Sequence, residues 1–236
     1  MNDRTADQTT ARTALAGLRP QPYATGNPRR VLDPIVEPMW SGIRALAAID
    51  GHDVALADEA GEPITGHADV VEALARSSVT DHLVIDGFLT QLPDRDQSGV
   101  FVALDDLPTS SQLASRPLIG IRRTRAQDAT KAMEEARTAR AFGPEDEITF
   151  VAIDLLWLDG ESLLDVPLLE RRRLLESVLT ESDLVRRGIF VRPPIDAWIG
   201  SWRSLGFSEL SFKAANARYR PGTATDEWVS IPMPRR

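Results

Sequence analysis

An almost unbroken apolar run over Ile148–Leu158, closed by Asp159 and Gly160, is the sequence feature that most constrains the fold of this chain. The run is much shorter than the roughly 18 apolar residues that a membrane-spanning helix needs. A short continuous apolar segment that ends at a turn pair is typical of a strand inside a sheet. We therefore predict a buried strand at this position.

Shorter β-prone segments and amphipathic helices lie on both sides of this strand. Predicted strands cover Ala45–Ile49, Val54–Ala57, His82–Leu92, Gly188–Arg192, Glu209–Lys213 and Glu227–Ile231, and predicted helices cover His67–Arg76, Thr124–Phe142, Pro167–Leu179 and Asp196–Leu205. This order lacks a strict β-α-β repeat, which favours the α+β class. Residues 1–30 lack apolar periodicity and contain several prolines, so we predict a flexible N-terminal arm, with a short helix possible near Thr10–Leu18. Residues 31–236 then form one domain.

Composition excludes several classes of protein. The 236 residues carry a net charge of −8, a poor basis for non-specific binding to a polyanion. The chain has no cysteine, so it has no disulfide and no thiolate metal site. No secretory signal or membrane span is visible, which predicts a cytoplasmic protein without membrane contact. The strong preference for arginine over lysine favours a GC-rich bacterial genome.

Motifs between Val36 and Ile231 share their order and spacing with one family. Glu37–Ala45 (EPMWSGIRA) resembles E-P-K-W-D-G-x-R-A, and Tyr219–Gly222 matches Y-R-P-G. The other matches are Val54–Thr65 to V-x-L-x-S-R-N-G-x-x-I-T, Val84–Phe88 to L-D-G-E, Phe150–Leu164 to F-D-L-L-Y-L-D-G-x-S-L-L, Ser208–Lys213 to E-G-V-V-A-K, and Trp228–Pro232 to W-L-K-I-K. These motifs resemble those of the adenylation (nucleotidyltransferase) domain of ATP-dependent DNA ligases. The resemblance implies two twisted, mainly antiparallel sheets with flanking helices. Because the chain ends just after the last motif, we expect no OB-fold domain.

The departures from the motifs fall on the positions that carry the family's chemistry. In this family a lysine attacks the α-phosphate of ATP, carboxylates hold Mg²⁺, and cations neutralise phosphate charge. Here the nucleophile position is Met39, whose thioether cannot act as an amine nucleophile. Further departures lie at Ser41, Phe88, Ile153, Ser208 and Ser230. The resemblance therefore implies no catalytic residue, no metal site, and neither ATP nor Mg²⁺ as a cofactor.

Some polar motif residues are retained. Glu37, Arg44 and Lys213 are the candidates for residual nucleotide contacts, and in relatives the lysine at the last position contacts phosphate. The alternative for Arg44 is an ion pair at the surface. For Asp86-Gly87 we favour a conformational requirement of the sheet over a metal site. We also expect Met39, Phe88 and Ile153 to fill the former nucleotide pocket with apolar side chains.

Three functions remain open from the sequence. The leading hypothesis is a non-catalytic pseudo-ligase, a binding or scaffolding module for a protein partner. The first alternative is an ATP-dependent polynucleotide (DNA) ligase or nucleotidyltransferase with an atypical site in DNA repair; the second is a metal-free nucleotide sensor. DNA binding is expected to be weak or absent because acidic residues replace the basic turn of relatives, at Asp58, Glu59 and Glu62. A basic cluster remains at Arg122, Arg123, Arg125, Arg137 and Arg140.

Overall fold

The computed structural model describes residues 10–91 and 148–234, which all belong to one compact unit. The described helices are α1 Ala11–Ala16, α2 Ala68–Ser77, α3 Leu168–Val178 and α4 Asp196–Ser204, with a short 3₁₀ turn at Pro28–Arg30. The described strands are β1 Tyr23–Thr25, β2 Pro34–Pro38, β3 Ile43–Asp50, β4 Asp53–Ala57, β5 His82–Gln91, β6 Ile148–Leu158, β7 Glu161–Ser162, β8 Val185–Arg187, β9 Glu209–Ala214 and β10 Thr225–Pro232. The predicted α+β class is confirmed. The predicted helix Thr124–Phe142 and the predicted basic cluster lie outside the described residues.

The strands form two sheets. The first sheet has four strands in the order β1-β10-β9-β2, in which only the β1–β10 pair is parallel. The second sheet has the order β4-β3-β5-β6-β7, and β8 adds to β6 in parallel. All other pairs are antiparallel, as the resemblance to the ligase family implied.

Two hydrophobic clusters cover the two faces of the second sheet. In β3, Ala45, Ala47 and Ile49 belong to the cluster that contains α2 and α3 residues. Leu46 and Ala48 alternate with them and belong to the cluster shared with the first sheet. Burial of both faces explains why the segment Ala45–Ile49 of β3 is continuously apolar rather than alternating. The same holds for β6, whose predicted bounds Ile148–Leu158 are confirmed.

The prediction of a flexible arm is wrong from residue 10 onward, although residues 1–9 lie outside the described part. The short helix that the sequence allowed near Thr10–Leu18 is present as α1, Ala11–Ala16. Helix α1 buries Ala11 and Leu15, and its first two N–H groups donate to Asp50 at 2.8 and 3.0 Å. Further along, β1 pairs with β10. These partners are distant in sequence, so local periodicity could not reveal them.

The predicted strand Gly188–Arg192 is also wrong in position, because the strand occupies Val185–Arg187. The N–H of Gly188 still donates to Ala152 at 2.7 Å, but the chain then leaves the second sheet and Val191 exchanges hydrogen bonds with Val36 of the first sheet. The segment therefore bridges the sheets instead of extending one of them. Within residues 10–91 and 148–234, no helix is long and apolar enough to cross a membrane.

Candidate functional site

Three buried ion pairs join the motif residues to one another and to helix α3. They are Lys213–Glu37, Arg44–Asp86 and Arg171–Asp154, and we refer to them together as the ion-pair cluster. Isolated charges are too costly to bury, so pairs of this kind need good geometry and extra hydrogen bonds.

The first pair lies on adjacent strands of the first sheet. Glu37 is opposite Ser211 and Ile35 is opposite Lys213, so the two charged side chains are diagonal neighbours on one face. The Lys213 Nζ lies 2.6 Å from Glu37 Oε2, and the lysine side chain is 0% exposed. On the other side of the carboxylate, a guanidinium nitrogen of Arg172 lies 3.6 Å from Oε1.

The protonation of Lys213 follows from this environment. Burial, the largest single influence, lowers the pKa of Lys213, but the charge of Glu37, the hydrogen bond to Glu37 and the nearby Tyr23 together raise that pKa above its ordinary value. The ammonium also lies 4.3 Å from the centre of the Trp228 ring, which favours the charged form. A lysine nucleophile is activated by a lowered pKa, and the environment of Lys213 shifts its pKa in the opposite direction.

The second pair lies in the second sheet. Arg44 donates to Asp86 through two nitrogens, both at 2.6 Å, and the hydroxyl of Tyr219 donates to the same carboxylate at 2.7 Å. Burial lowers the pKa of Arg44, but Asp86 raises it well above its ordinary value. The guanidinium also stacks 4.7 Å from the Phe88 ring. The expectation of a surface ion pair for Arg44 is therefore wrong: it has an ion-pair partner, but the pair is buried because strand β3 is covered on both faces.

Helix α3 supplies two buried arginines that the sequence analysis missed. Arg171 donates to both oxygens of Asp154 at 2.8 and 2.7 Å. Arg172 donates to the carbonyl of Ile153 at 2.5 Å and to that of Gly188. The sequence shows three consecutive arginines, and only Arg173 is exposed. The apolar stripe of the helix indicated which leucines point inward but not that arginines could be buried beside them.

The positions that depart from the family motifs occupy different environments. Phe88 and Ile153 are buried, Met39 and Ser230 are half-buried, and Ser41 and Ser208 are exposed. The N–H of Met39 donates to the carbonyl of Glu209 at 3.0 Å. Over the part of the chain that the structure describes, no three His, Asp or Glu side chains are grouped to hold a metal ion. Because Glu37 and Asp86 already have cationic partners, these residues do not fit a Mg²⁺ site.

Two motif glycines are required by packing rather than by chemistry. Gly42 has a φ of +117°, and a Cβ there would lie 2.2 Å from the carbonyl oxygen of Leu89. A Cβ on Gly87 would lie 2.5 Å from the carbonyl oxygen of Val151. These steric demands hold whether or not the domain binds ATP.

The two sheets and the motif residues along their strands define a ligase-type nucleotidyltransferase domain. Residues 29–231 match the family described as ATP dependent DNA ligase domain, and the chain belongs to this family.

Relatives and solved structures agree with this assignment. The chain is 28% identical over 193 residues to the multifunctional non-homologous end joining protein LigD of Mycobacterium bovis, covering 82% of this chain and 21% of that protein. It is 27% identical over 198 residues to a probable DNA ligase of Nocardioides sp., covering 83% of this chain and 32% of the relative. The ligase domain of M. tuberculosis LigD superposes with a TM-score of 0.62 at 24% identity, over 92% of this chain and 60% of that one, a likeness that shows the fold alone. The chain thus spans about a fifth of the LigD relative.

Proposed function

We propose that this chain is a ligase-type adenylation domain that does not transfer AMP and acts as a binding or scaffolding module for a protein partner. One observation carries the proposal. Glu37, two residues before the nucleophile position, forms a buried ion pair with Lys213 at 2.6 Å, while Met39 occupies the nucleophile position itself.

The ion-pair cluster opposes phosphate binding. A nucleotide needs free cations for its phosphates, but Lys213 and Arg44 are each held by a carboxylate at 2.6 Å. Separating a buried pair exposes the remaining charge to a penalty of about 3–5 kcal/mol. A nucleotide would have to compensate this cost without the help of a metal ion.

The context in which such a module works is suggested by its relatives. The relatives include a protein named for non-homologous end joining and another named probable DNA ligase, which supports a role in DNA repair. Direct DNA contact is disfavoured at the turn after β4. There Asp58 accepts hydrogen bonds at 2.9 Å from the N–H groups of Ala60 and Glu62, so its carboxylate fixes an acidic turn.

Two alternatives have specific support. Membership of the ligase family supports an ATP-dependent polynucleotide ligase with an atypical site. The retention of Glu37, Arg44 and Lys213 supports a metal-free nucleotide sensor. Tight ATP binding that requires Mg²⁺ favours the ligase, and tight binding without Mg²⁺ favours the sensor.

The decisive experiment is incubation with ATP and Mg²⁺ followed by intact-mass analysis. We expect no AMP adduct on the wild type. We also expect none on Met39→Lys, because a restored amine still lacks the carboxylates that position metal and phosphate. The circular dichroism spectrum of the variant serves as the folding control.

An AMP adduct on the wild-type protein would refute the proposal, and its loss in Lys213→Ala would identify the nucleophile. An adduct on folded Met39→Lys alone would show that the rest of the site is intact. In that case the single substitution, rather than the ion-pair cluster, would account for the lost chemistry.

A further inference from the structure

Strand β1 places an aromatic ring over both retained cations. The Tyr23 ring centre lies 5.2 Å from the guanidinium carbon of Arg44 and 5.5 Å from the Lys213 ammonium. The ring also packs against Trp228 at 5.6 Å between centres. Tyr23 itself is half-buried, whereas the two cations beneath it are buried. The ring is therefore the more exposed member of both contacts.

We propose that β1 is an internal cover of the former nucleotide site, and that local opening of this strand controls access of phosphate-bearing ligands to Arg44 and Lys213. This inference rests on the proposed function, because it explains what keeps a non-catalytic site closed. Steric blocking by β1 acts in addition to the ion pairs that hold Arg44 and Lys213. The two effects can be separated by experiment.

The strand is built to open locally. It has only three residues, lies at the edge of the first sheet, and its register with β10 shifts between Tyr23 and Ala24. Pro22 precedes it and Gly26 follows it, so the pairing cannot extend regularly in either direction. Short edge strands with few ladder hydrogen bonds open at lower free energy than central strands.

The chain is firmly attached on the N-terminal side of this strand. The N–H of Gln21 donates to the hydroxyl of Tyr219 at 2.8 Å, and its side-chain amide donates to Thr225 at 3.1 Å. The Gln21 side-chain oxygen accepts from the N–H of Arg220 at 2.6 Å. Opening can therefore be confined to the segment after Gln21, with α1 remaining in place.

Chemical labelling of lysine can follow the opening, because the chain has only two lysines, Lys131 and Lys213. We would acetylate the full-length protein and map the modified peptides by mass spectrometry, normalising to the α-amino group. Tyr23→Ala is expected to label Lys213 at least ten times faster than wild type. Tyr23→Phe keeps the ring and is expected to label within about twofold of wild type.

Titration with Mg²⁺-free ATP tests the consequence for ligands. Tyr23→Ala should bind at least ten times more tightly than both wild type and Tyr23→Phe. If a folded Tyr23→Ala labels and binds like the wild type, β1 is not a cover and the inference fails. That result would leave the absence of an AMP adduct, and so the proposed function, unaffected.

Hydrogen exchange on the wild-type protein provides a test that does not depend on a variant folding. The amides of β1 should exchange at least a hundred times faster than those of β9, through an opening that leaves β9 protected. Exchange of both strands at one common rate would mean that β1 opens only when the domain unfolds, and the inference would then be wrong.

Discussion

Replacement of Glu37 by glutamine should reveal how much the ion-pair cluster contributes to stability. The substitution keeps the shape of the side chain but leaves the Lys213 ammonium, which is 0% exposed, without its carboxylate. Removing one member of a buried pair costs about 3–5 kcal/mol. For a chain of this length, that cost corresponds to a fall in Tm of roughly 6–20 °C.

Replacement of the other member of the pair, Lys213, should cost less stability because Glu37 keeps other polar partners. In Lys213→Met, Glu37 still has a nitrogen of Arg172 at 3.6 Å and the hydroxyl of Ser211 at 3.4 Å. We expect a loss of about 1.5–3 kcal/mol, the range for a hydrogen bond to a charged group. The double variant should lose less than the sum of the two single variants, since it no longer buries an unpaired ammonium.

Urea denaturation with linear extrapolation measures all three variants. Glu72→Gln is the matched control, because Glu72 pairs with Arg76 at the surface and its removal should change stability by at most about 0.5 kcal/mol. If Glu37→Gln behaves like this control, the pair does not stabilise the fold. If Lys213→Met is the more damaging single variant, Arg172 does not act as the second partner of the carboxylate.

Two further predictions concern packing and pH. Gly87→Ala should destabilise the protein by roughly 1–3 kcal/mol in the same urea assay, because its Cβ would lie 2.5 Å from the backbone oxygen of Val151. Burial alone would raise the pKa of Asp50, but the hydrogen bonds it accepts, led by the N–H of Arg12, lower it below its ordinary value of 3.8. The ionised Asp50 carboxylate therefore contributes its full stabilisation above pH 3.8. This stabilisation is lost as the pH falls through the pKa that Asp50 has in the folded state. The difference in urea midpoint between wild type and Asp50→Asn should accordingly be smaller at pH 3 than at pH 7.

Controls for these two predictions are available in the same domain. Gly17→Ala, whose Cβ would have its nearest neighbour at 4.0 Å, should stay within about 1 kcal/mol of wild type. If Gly17→Ala and Gly87→Ala lose the same amount of stability, the close approach of a Cβ to the Val151 oxygen is not the cause of the loss at Gly87. Asp53→Asn removes a nearby exposed carboxylate that pairs with Arg12. If it reproduces the pH dependence of Asp50→Asn, general surface charge rather than the contact with helix α1 is responsible.

The errors of the sequence analysis share one physical origin. Local patterns located β6, α2, α3 and α4 because periodicity and turn residues act over a few positions. They failed for the strand at Tyr23–Thr25, because β1 depends on its pairing with the distant strand β10. Long-range partners of this kind leave no periodic signal in the segment itself.

The sequence by itself determined the α+β class, the ligase-type motifs and the absence of a lysine at position 39. Those properties follow from residue identity and local spacing. Only the tertiary structure decided that Arg44 is buried on Asp86, that two arginines of α3 are buried, and that the Tyr23 ring lies close to both Arg44 and Lys213. A charged side chain is normally placed in water, and its burial becomes favourable only when a distant residue supplies the opposite charge, a condition that the folded chain alone can meet.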